Sequence, residues 1–249
     1  MEPTLEPKVE STMPQSKQNV LLIPGAIVIA GVIIAGGLFI GLSGRSAPSA
    51  GADPSGQPPA QAVDVSKVKI AGQPFVGKEN APVIYAYWFD YQCPFCQRHE
   101  EEAMPQIVKD YVDTGKVKIV FKDFQFLGPD SQTLGQYSRA VWEAVPSKFY
   151  QWHKAVYDNQ GTENTGWATQ EKILSITRSV LSADETNKVV QFVKTKGAVY
   201  QKEMDADKAE GAAFGISGTP GNIIGKQLVE GAQPYSVFKQ VIDLTLQGK

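Results

Sequence analysis

The hydrophobic residues of the chain form one long uninterrupted run, two short runs and several segments with helical spacing. Residues 20–42 carry no charged side chain, and this stretch of 23 residues exceeds the roughly 20 that a helix needs to cross a bilayer. Residues 83–89 and 117–121 are rich in β-branched and aromatic side chains, which is typical of buried strands. The pattern therefore predicts a membrane-spanning helix and, further along the chain, a domain that contains a sheet.

A long stretch separates residue 121 from Thr219, and a structureless loop of that length is improbable in a compact domain. Apolar residues recur every three or four positions along this stretch, which favours helices over strands. Ser182 and Glu185 have the spacing of a capping box at the start of one such helix. We therefore predict a helical insert at about 130–215.

The remaining segments predict the rest of an α/β domain. A helix should run from 94 to about 114, with a kink at Pro105. Short strands are expected at 68–70 and in a hairpin that turns at 225–226, and a final amphipathic helix at 234–246. This order of strands and helices predicts a small mixed sheet.

The region before this domain divides into three segments by composition. Residues 1–19 are polar and predict a short disordered tail, and residues 20–42 predict a transmembrane anchor. A cleaved signal peptide is the alternative for 20–42, but the apolar run is longer than the ~7–15 residues of a signal sequence. Residues 43–65, rich in Ser, Gly, Ala and Pro, predict a flexible linker to a domain at 66–249.

Charge and cysteine content narrow the possible function. The 249 residues include 24 basic and 26 acidic side chains, a net charge of −2, so electrostatics gives no case for nucleic-acid binding. The chain has only 2 cysteines, and both lie in one short motif. It is therefore not a small scaffold held together by disulfides.

The two cysteines, Cys93 and Cys96, lie where the strand predicted at 83–89 gives way to a helix. Pro94 suits the first helical position, where its missing N–H costs no hydrogen bond. The helix N-terminus favours a thiolate at Cys93, which is therefore the expected nucleophile, accessible to solvent. Cys96 lies one turn further on the same face and is expected to be shielded.

Two other interpretations of the motif remain open at this point. The cysteines could form a static disulfide or half of a zinc site, although a zinc site normally needs four ligands and the chain has no second cysteine pair. His99 follows Cys96 at a spacing of three, so that a thiophilic metal such as copper could use Cys93, Cys96 and His99 together. The more ordinary expectation for His99 is a surface position beside Glu100.

The sequence Asp-Tyr-Gln-Cys-Pro-Phe-Cys at 90–96 resembles the active site of DsbA-like thiol:disulfide oxidoreductases, a branch of the thioredoxin superfamily. Gly-Thr-Pro at 218–220 is similar to the cis-proline loop of that family, and residues 231–235 are similar to its C-terminal region. The resemblance extends from about residue 68 to the C-terminus. It implies a thioredoxin-like fold with an inserted helical domain, and the uncharged run at 20–42 predicts one transmembrane helix before it.

The resemblance also implies roles for individual residues. Cys93 and Cys96 would be catalytic, and Thr219 and Pro220 would form the cis-proline loop that binds the substrate peptide by strand addition. Pro94, Phe95 and Asp90 would support the motif. The resemblance implies no cofactor and no metal.

The chain departs from the family pattern at two positions. Phe95 stands where some members have a histidine that donates to the thiolate, so we expect a less extreme oxidant. Tyr87 stands where many members have a buried acid that moves the proton of the second cysteine. Asp90 is the nearest carboxylate before the motif, and it either serves that purpose or simply begins the loop. Lys122 either lies near the site or is a solvated strand residue.

Together these features predict a membrane-tethered, extracytoplasmic thiol:disulfide oxidoreductase. It would exchange a Cys93-Cys96 disulfide with cysteines of exported proteins through a mixed disulfide, as an oxidase, in an oxidising compartment. The resemblance implies reoxidation by a membrane quinone-linked partner, and the expected location is the inner membrane with the domain in the periplasm. The alternatives are a reductase or isomerase of the same fold, and a thioredoxin-like copper chaperone.

Overall fold

The computed structural model of the protein describes residues 61–248. The tail predicted at 1–19, the anchor predicted at 20–42 and the linker predicted from residue 43 up to residue 60 lie outside the described residues. Within 61–248, no helix combines the length and the apolar character that crossing a membrane requires.

A single six-stranded mixed sheet forms the centre of the domain. In spatial order its strands run β1, β6, β5, β3, β4, β2, and only β3 and β4 are parallel neighbours. The strands in chain order are β1 Gln61–Ala62, β2 Phe75–Val76, β3 Val83–Phe89, β4 Val117–Asp123, β5 Gly221–Ile224 and β6 Gln227–Glu230. This topology confirms the predicted α/β class and the mixed sheet.

The sheet begins earlier in the chain than predicted. Strand β1 pairs with β6, and a 3-10 turn at Val65–Lys67 follows it, so residues 61–65 belong to the domain rather than to the predicted linker. The strand expected at 68–70 is not formed. The backbone N–H of Lys69 instead donates to the Glu210 carboxylate, and its carbonyl accepts from Lys122, so side chains satisfy groups that a strand ladder would otherwise pair.

Seven α-helices complete the domain within residues 61–248. They are α1 Pro94–Glu102, α2 Met104–Ile107, α3 Pro129–Ala144, α4 Phe149–Asp158, α5 Gln170–Val180, α6 Ala183–Ala213 and α7 Tyr235–Leu246. Helices α3 to α6 lie between β4 and β5 in the chain and form the helical insertion. The capping box predicted at Ser182 and Glu185 is present at the start of α6.

The helix predicted from 94 to about 114 is interrupted rather than continuous. Helix α1 ends at Glu102, Ala103 caps it, and α2 is followed by a turn of π-helix at Val108–Val112. Pro105 has no N–H to donate to the carbonyl one turn earlier, which explains a break at this place. Helix α2, which follows the break, packs against α7.

Alternation along β3 divides the core into two layers on opposite faces of the sheet. Tyr85, Tyr87 and Phe89 pack in the same cluster as Cys96, whereas Trp88 packs on the other face. Successive side chains of a strand point to opposite faces, so this strand, buried on both sides, supports the cysteine helix on one of them. The functional site therefore rests on a fully buried aromatic layer.

Candidate active site

Strand β3 delivers the first cysteine directly to the start of α1. Cys93 is the N-cap residue of that helix, and its carbonyl accepts from the N–H of Gln97 at 3.1 Å. Pro94 occupies the first helical turn, where its missing N–H is not needed. The thiol of Cys93 therefore lies at the positive end of the helix, next to the backbone N–H groups of Phe95 and Cys96.

The two thiols have opposite electrostatic environments. A hydrogen bond from Cys96 lowers the pKa of Cys93 to about 6, and Thr219 and the N–H groups at the helix start act in the same direction against the effect of burial. Burial raises the pKa of Cys96 well above its usual value, and the neighbouring Cys93 raises it further. The first cysteine is thus the thiolate at neutral pH, and the second is a protonated thiol.

Exposure of Cys93 is lower than the sequence suggested. Cys93 is 5% exposed and Cys96 is 0% exposed. The reason is the loop at 218–220, since the Cys93 thiol donates to the carbonyl of Thr219 at 3.3 Å. Attack by Cys93 therefore takes place beneath this loop rather than at an open surface.

The Thr219-Pro220 peptide bond is cis, and it lies beside the cysteine pair. The carbonyl of Pro220 accepts from the N–H of Gly231 at 2.8 Å, which ties the loop to the end of β6. The structure thus brings Thr219 and Pro220 together with Cys93, as the resemblance implied for the two halves of the motif.

The carboxylate of Asp90 organises the loop that precedes Cys93. It accepts from the N–H groups of Gln92, Phe126 and Leu127 and from the hydroxyl of Ser131, at 2.6 to 3.0 Å. Both carboxylate oxygens are therefore occupied by donors. Of the two roles considered for Asp90, the contacts favour support of the loop over transfer of the Cys96 proton.

A buried polar network lies behind Cys96 on α1. Glu100 Oε1 lies 3.1 Å from His153 Nε2, and the other ring nitrogen of His153 lies 2.9 Å from the Tyr91 hydroxyl. On the same layer, His99 Nε2 lies 2.9 Å from the hydroxyl of Tyr85. The helix α1 and the insert helix α4 are thus joined by polar contacts beneath the active site.

The surface position expected for His99 and Glu100 is wrong, because both are buried. Cys96, His99, Glu100 and Ala103 recur at intervals of three and four and form the inward face of α1. That spacing was visible in the sequence, but the run of charged residues at 100–102 obscured it. Among the residues of this run, Glu101 and Glu102 are the exposed ones.

The geometry disfavours the metal-binding interpretation of His99. Its Nε2 is engaged by Tyr85, and burial lowers the pKa of the imidazole to about 4. In the part of the chain that the structure describes, no group of three or more His, Cys, Asp or Glu side chains is placed to hold a metal ion.

Lys122 lies far from the cysteines, on the opposite face of the sheet. It is fully buried and contacts Asp207 at 2.5 Å and Glu210 at 2.8 Å, both on α6. Arg139 extends the cluster through ion pairs with Asp123, at 2.7 Å, and with Asp207. Lys122 is therefore neither near the site nor solvated, and it joins the sheet to the helical insertion instead.

An open groove of about 600 Å³ starts beside the cysteines. Phe95, which is 54% exposed, forms one wall, and the loop at 231–234 forms the other. Arg98 spans them, since its guanidinium lies 5.1 Å from the centre of the Phe95 ring and donates to the Ala232 carbonyl at 3.0 Å. The groove reaches Thr219, whose carbonyl oxygen lies 3.3 Å from Cys93 Sγ.

Comparison with known proteins agrees with this arrangement. A sequence model of the family described as thioredoxin matches residues 69–244, which include both cysteines and the cis-proline loop. The chain belongs to this thioredoxin family. The match covers strands β2 to β6 and the helical insertion together, so the insertion is part of the thioredoxin-family domain and not a separate unit.

The curated relatives that the chain matches include disulfide bond formation proteins. Disulfide bond formation protein D of Bacillus subtilis is 28% identical over 181 residues, which is 72% of this chain and 80% of that protein. The probable disulfide bond formation protein D of Bacillus cereus is 26% identical over 176 residues, or 70% of this chain and 79% of the relative.

Solved structures show the same fold. Oxidised BdbD from Bacillus subtilis has a TM-score of 0.67 at 24% identity and covers 76% of this chain and 98% of its own. The thiol-disulfide exchange protein alpha-DsbA2 from Wolbachia pipientis has a TM-score of 0.61 at 25% identity, with 70% and 88% covered. These relatives and the family match identify the chain as a DsbA-like thiol:disulfide oxidoreductase.

Proposed function

We propose that the chain is a disulfide oxidase of exported proteins, tethered to the outer face of the cytoplasmic membrane. The observation that carries the proposal is the position of Cys93 at the start of α1, beside the buried Cys96 thiol and the first backbone N–H groups of the helix. This environment stabilises the Cys93 thiolate and therefore the reduced form of the protein. A stabilised reduced form makes the corresponding disulfide a strong oxidant.

The proposed reaction proceeds through a mixed disulfide. A substrate thiolate attacks Cys93 Sγ of the Cys93-Cys96 disulfide, a substrate–Cys93 disulfide forms, and Cys96 leaves as a thiolate that takes up a proton. A second substrate thiolate then attacks the substrate sulfur of the mixed disulfide, and Cys93 leaves as a thiolate. The substrate loses two electrons as its disulfide forms, and the protein gains them as a dithiol.

The substrate proposed is an extended, unfolded segment of an exported protein with two cysteines. Strand addition at Thr219 would hold the segment by its backbone, which does not depend on the sequence of the substrate. The exposed ring of Phe95 and the groove beyond it would add apolar contact on one side of the reacting cysteine. Such recognition suits an enzyme that acts on many clients.

The membrane tether and the redox partner belong to the same proposal. The uncharged run at 20–42 is long enough to act as an anchor, and 43–60 would link it to the domain. Electrons collected by the protein would pass to a membrane quinone-linked thiol reoxidase, which an anchored domain would meet at the membrane surface. The compartment would be the periplasm or its equivalent outside the cytoplasmic membrane.

The oxidase activity is tested with a reduced peptide that contains two cysteines. Mixed with the oxidised protein in equimolar amount, the peptide should become an intramolecular disulfide while the protein becomes a dithiol, both counted by mass after alkylation. The Cys93→Ser variant serves as control and should oxidise no peptide. A peptide that stays reduced in the presence of the oxidised wild type would contradict the proposed activity.

Membrane tethering needs a separate experiment on the full chain in cells. Protease added after the envelope is permeabilised should release a soluble fragment that begins after residue 42, and no soluble form should exist before protease is added. A soluble protein that begins near residue 51 without protease would show that 20–42 is a cleaved signal. A domain protected until the cytoplasmic membrane is opened would contradict the proposed location.

A further inference from the structure

The end of α4 and the loop that follows it contact the peptide chain around Cys93. The hydroxyl of Tyr157 donates to the carbonyl of Asp90 at 3.1 Å. The backbone N–H of Asn164 donates to the side-chain oxygen of Gln92 at 2.9 Å. The helical insertion therefore holds the turn between β3 and α1 that carries the catalytic sulfur.

Gln160 makes the contact nearest to that sulfur-bearing residue. It is the second residue after the end of α4, and its backbone N–H donates to the carbonyl of Tyr157 at 3.1 Å. Its side-chain Nε2 donates to the carbonyl of Tyr91 at 2.7 Å and to that of Cys93 at 3.2 Å. An amide NH₂ group has two N–H donors, one for each of these carbonyls. One side chain of the insertion thus fixes the peptide chain at two points around the turn.

These two carbonyls affect the charge that Cys93 can carry. A carbonyl oxygen has partial negative charge and disfavours a thiolate next to it, whereas a donor to that oxygen reduces the effect. The carbonyl of Cys93 also accepts from the N–H of Gln97 at 3.1 Å, which is the first bond of α1. Its direction therefore helps to aim the N–H groups of Phe95 and Cys96 at the Cys93 sulfur.

We propose that Gln160 is a positioning residue for thiol exchange, which holds the Tyr91 and Cys93 carbonyls so that the turn stabilises the Cys93 thiolate. The inference rests on the proposed function, because stabilisation of the reduced protein is what makes its disulfide an oxidant. Gln160 gives no proton or electron to the reaction. Its effect belongs to the reduced protein, since the oxidised protein has no thiolate to stabilise.

The ionisable groups around Cys93 do not replace this contact. Burial raises the pKa values of Cys96 and Tyr157 well above their usual range, so both stay neutral in the reduced protein. The other charged or ionisable side chains of the surrounding elements contact different groups; they are Asp90, Arg98, Glu100, His153 and Glu163. Within residues 61–248, Gln160 is the residue whose side chain donates to the carbonyls at 91 and 93.

Gln160→Met tests the role, because methionine has a similar length but no donor. Titration of the reduced protein, followed by the ultraviolet absorbance of the thiolate, gives the pKa of Cys93, which is about 6 in the wild type. We expect it to rise by about half a unit in the variant, the size of a dipole effect at a helix end. The equilibrium constant for reduction of the protein disulfide by glutathione should then fall by about threefold at neutral pH.

Gln160→Glu keeps the shape of the side chain and places a negative charge beside the same carbonyls. The pKa of Cys93 should rise by about one unit, more than in Gln160→Met, because a like charge is added as the donors are lost. Asn159→Ala is the matched control. Asn159 is the exposed neighbour, and its amide donates to the Ala155 carbonyl within α4. This variant should keep the wild-type pKa and the wild-type glutathione equilibrium.

Urea unfolding of the reduced and oxidised forms separates positioning from a merely structural role. A structural role lowers the free energy of unfolding of both forms equally and leaves the glutathione equilibrium unchanged. We expect Gln160→Met to destabilise the reduced form more than the oxidised form. If Gln160→Met does not fold, Gln160→Glu decides the matter.

A wild-type pKa of Cys93 and a wild-type glutathione equilibrium in the folded variants at Gln160 would overturn the proposal. The pKa of Cys93 is measured without any substrate, so this result does not depend on the activity of the protein. Failure of the wild type to oxidise a reduced peptide would contradict the proposed function instead.

Discussion

The carbonyl oxygen of Thr219 lies 3.3 Å from Cys93 Sγ, although 126 positions separate the two residues in the chain. The antiparallel pairing of β3 with β5 brings them together, since Trp88 is opposite Gly221 in that ladder. The backbone that would bind a substrate segment thus contacts the sulfur that would form the mixed disulfide with it. Binding of a peptide at Thr219 would therefore place its cysteine next to Cys93 Sγ.

Substitution of the two cysteines should have different consequences. Cys93→Ser should abolish thiol exchange, because Cys96 is buried and protonated. Cys96→Ser should still attack a disulfide-containing peptide and form a mixed disulfide, with the second peptide sulfur leaving as a thiolate, but it should not resolve this bond by intramolecular attack, so covalent adducts should accumulate. Non-reducing electrophoresis and mass measurement detect these adducts. Adducts in Cys93→Ser and none in Cys96→Ser would reverse the assigned roles.

The stability of the reduced protein should rise with pH near neutrality. The pKa of Cys93 is about 6 in the folded state against a reference value of 9.0, so between these values the folded protein binds fewer protons than the unfolded chain. The contribution is complete near the reference value and is lost as pH falls through about 6. Urea unfolding of the reduced and oxidised forms at several pH values measures it. A stability difference between the two forms that does not change from about pH 6 to 8 would contradict the low pKa.

Asp90→Asn should lower the free energy of unfolding by about 2 kcal/mol. The carboxylate accepts four hydrogen bonds, and the NH₂ group of asparagine would face some of the same donors and could not accept from them. The four contacts of Asp90 hold the loop before Cys93 against the segment at 126–127 and against Ser131. The pH dependence of Cys96 attack on a Cys93 mixed disulfide should stay as in the wild type. Asp113→Asn, at an exposed position, is the control and should cost little. A stable variant with an altered pH profile would restore the proton-transfer role for Asp90.

Arg139→Met should lower the free energy of unfolding by about 3–5 kcal/mol, since it leaves buried carboxylates without their partner. Arg139 pairs with Asp123 and Asp207 beneath the helical insertion. Lys154→Met breaks an exposed pair with Asp158 and should cost below about 1 kcal/mol. Denaturant titration measures the free energy of unfolding of both variants and of the wild type. Equal losses would show that the buried cluster does not hold the insertion to the sheet.

Elements with a strong local pattern were predicted well from the sequence. Strand β3 at Val83–Phe89 and the hairpin of β5 and β6 follow from runs of apolar residues and from a turn at Gly225, and the start of α6 follows from its capping box. These signals lie within a few neighbouring positions, which is why a single sequence reveals them.

Features that depend on distant partners could not be predicted in this way. The two-residue strand at Gln61–Ala62 exists because β6 offers a free edge, which no local pattern shows. Lys122 looks like a solvated strand residue until the long helix α6 brings Asp207 and Glu210 to it. Glu100 looks like one of three surface acids until α4 covers it with His153. In each case the partner, and not the residue itself, decides the environment.

The reduction potential of the Cys93-Cys96 pair tests the central claim most directly. Equilibration with mixtures of reduced and oxidised glutathione, followed by acid quenching and counting of free thiols, gives its value. Stabilisation of the Cys93 thiolate predicts a potential more oxidising than about −180 mV, the value of protein disulfide isomerase. A potential near about −270 mV, that of a reducing thioredoxin, would contradict an oxidase.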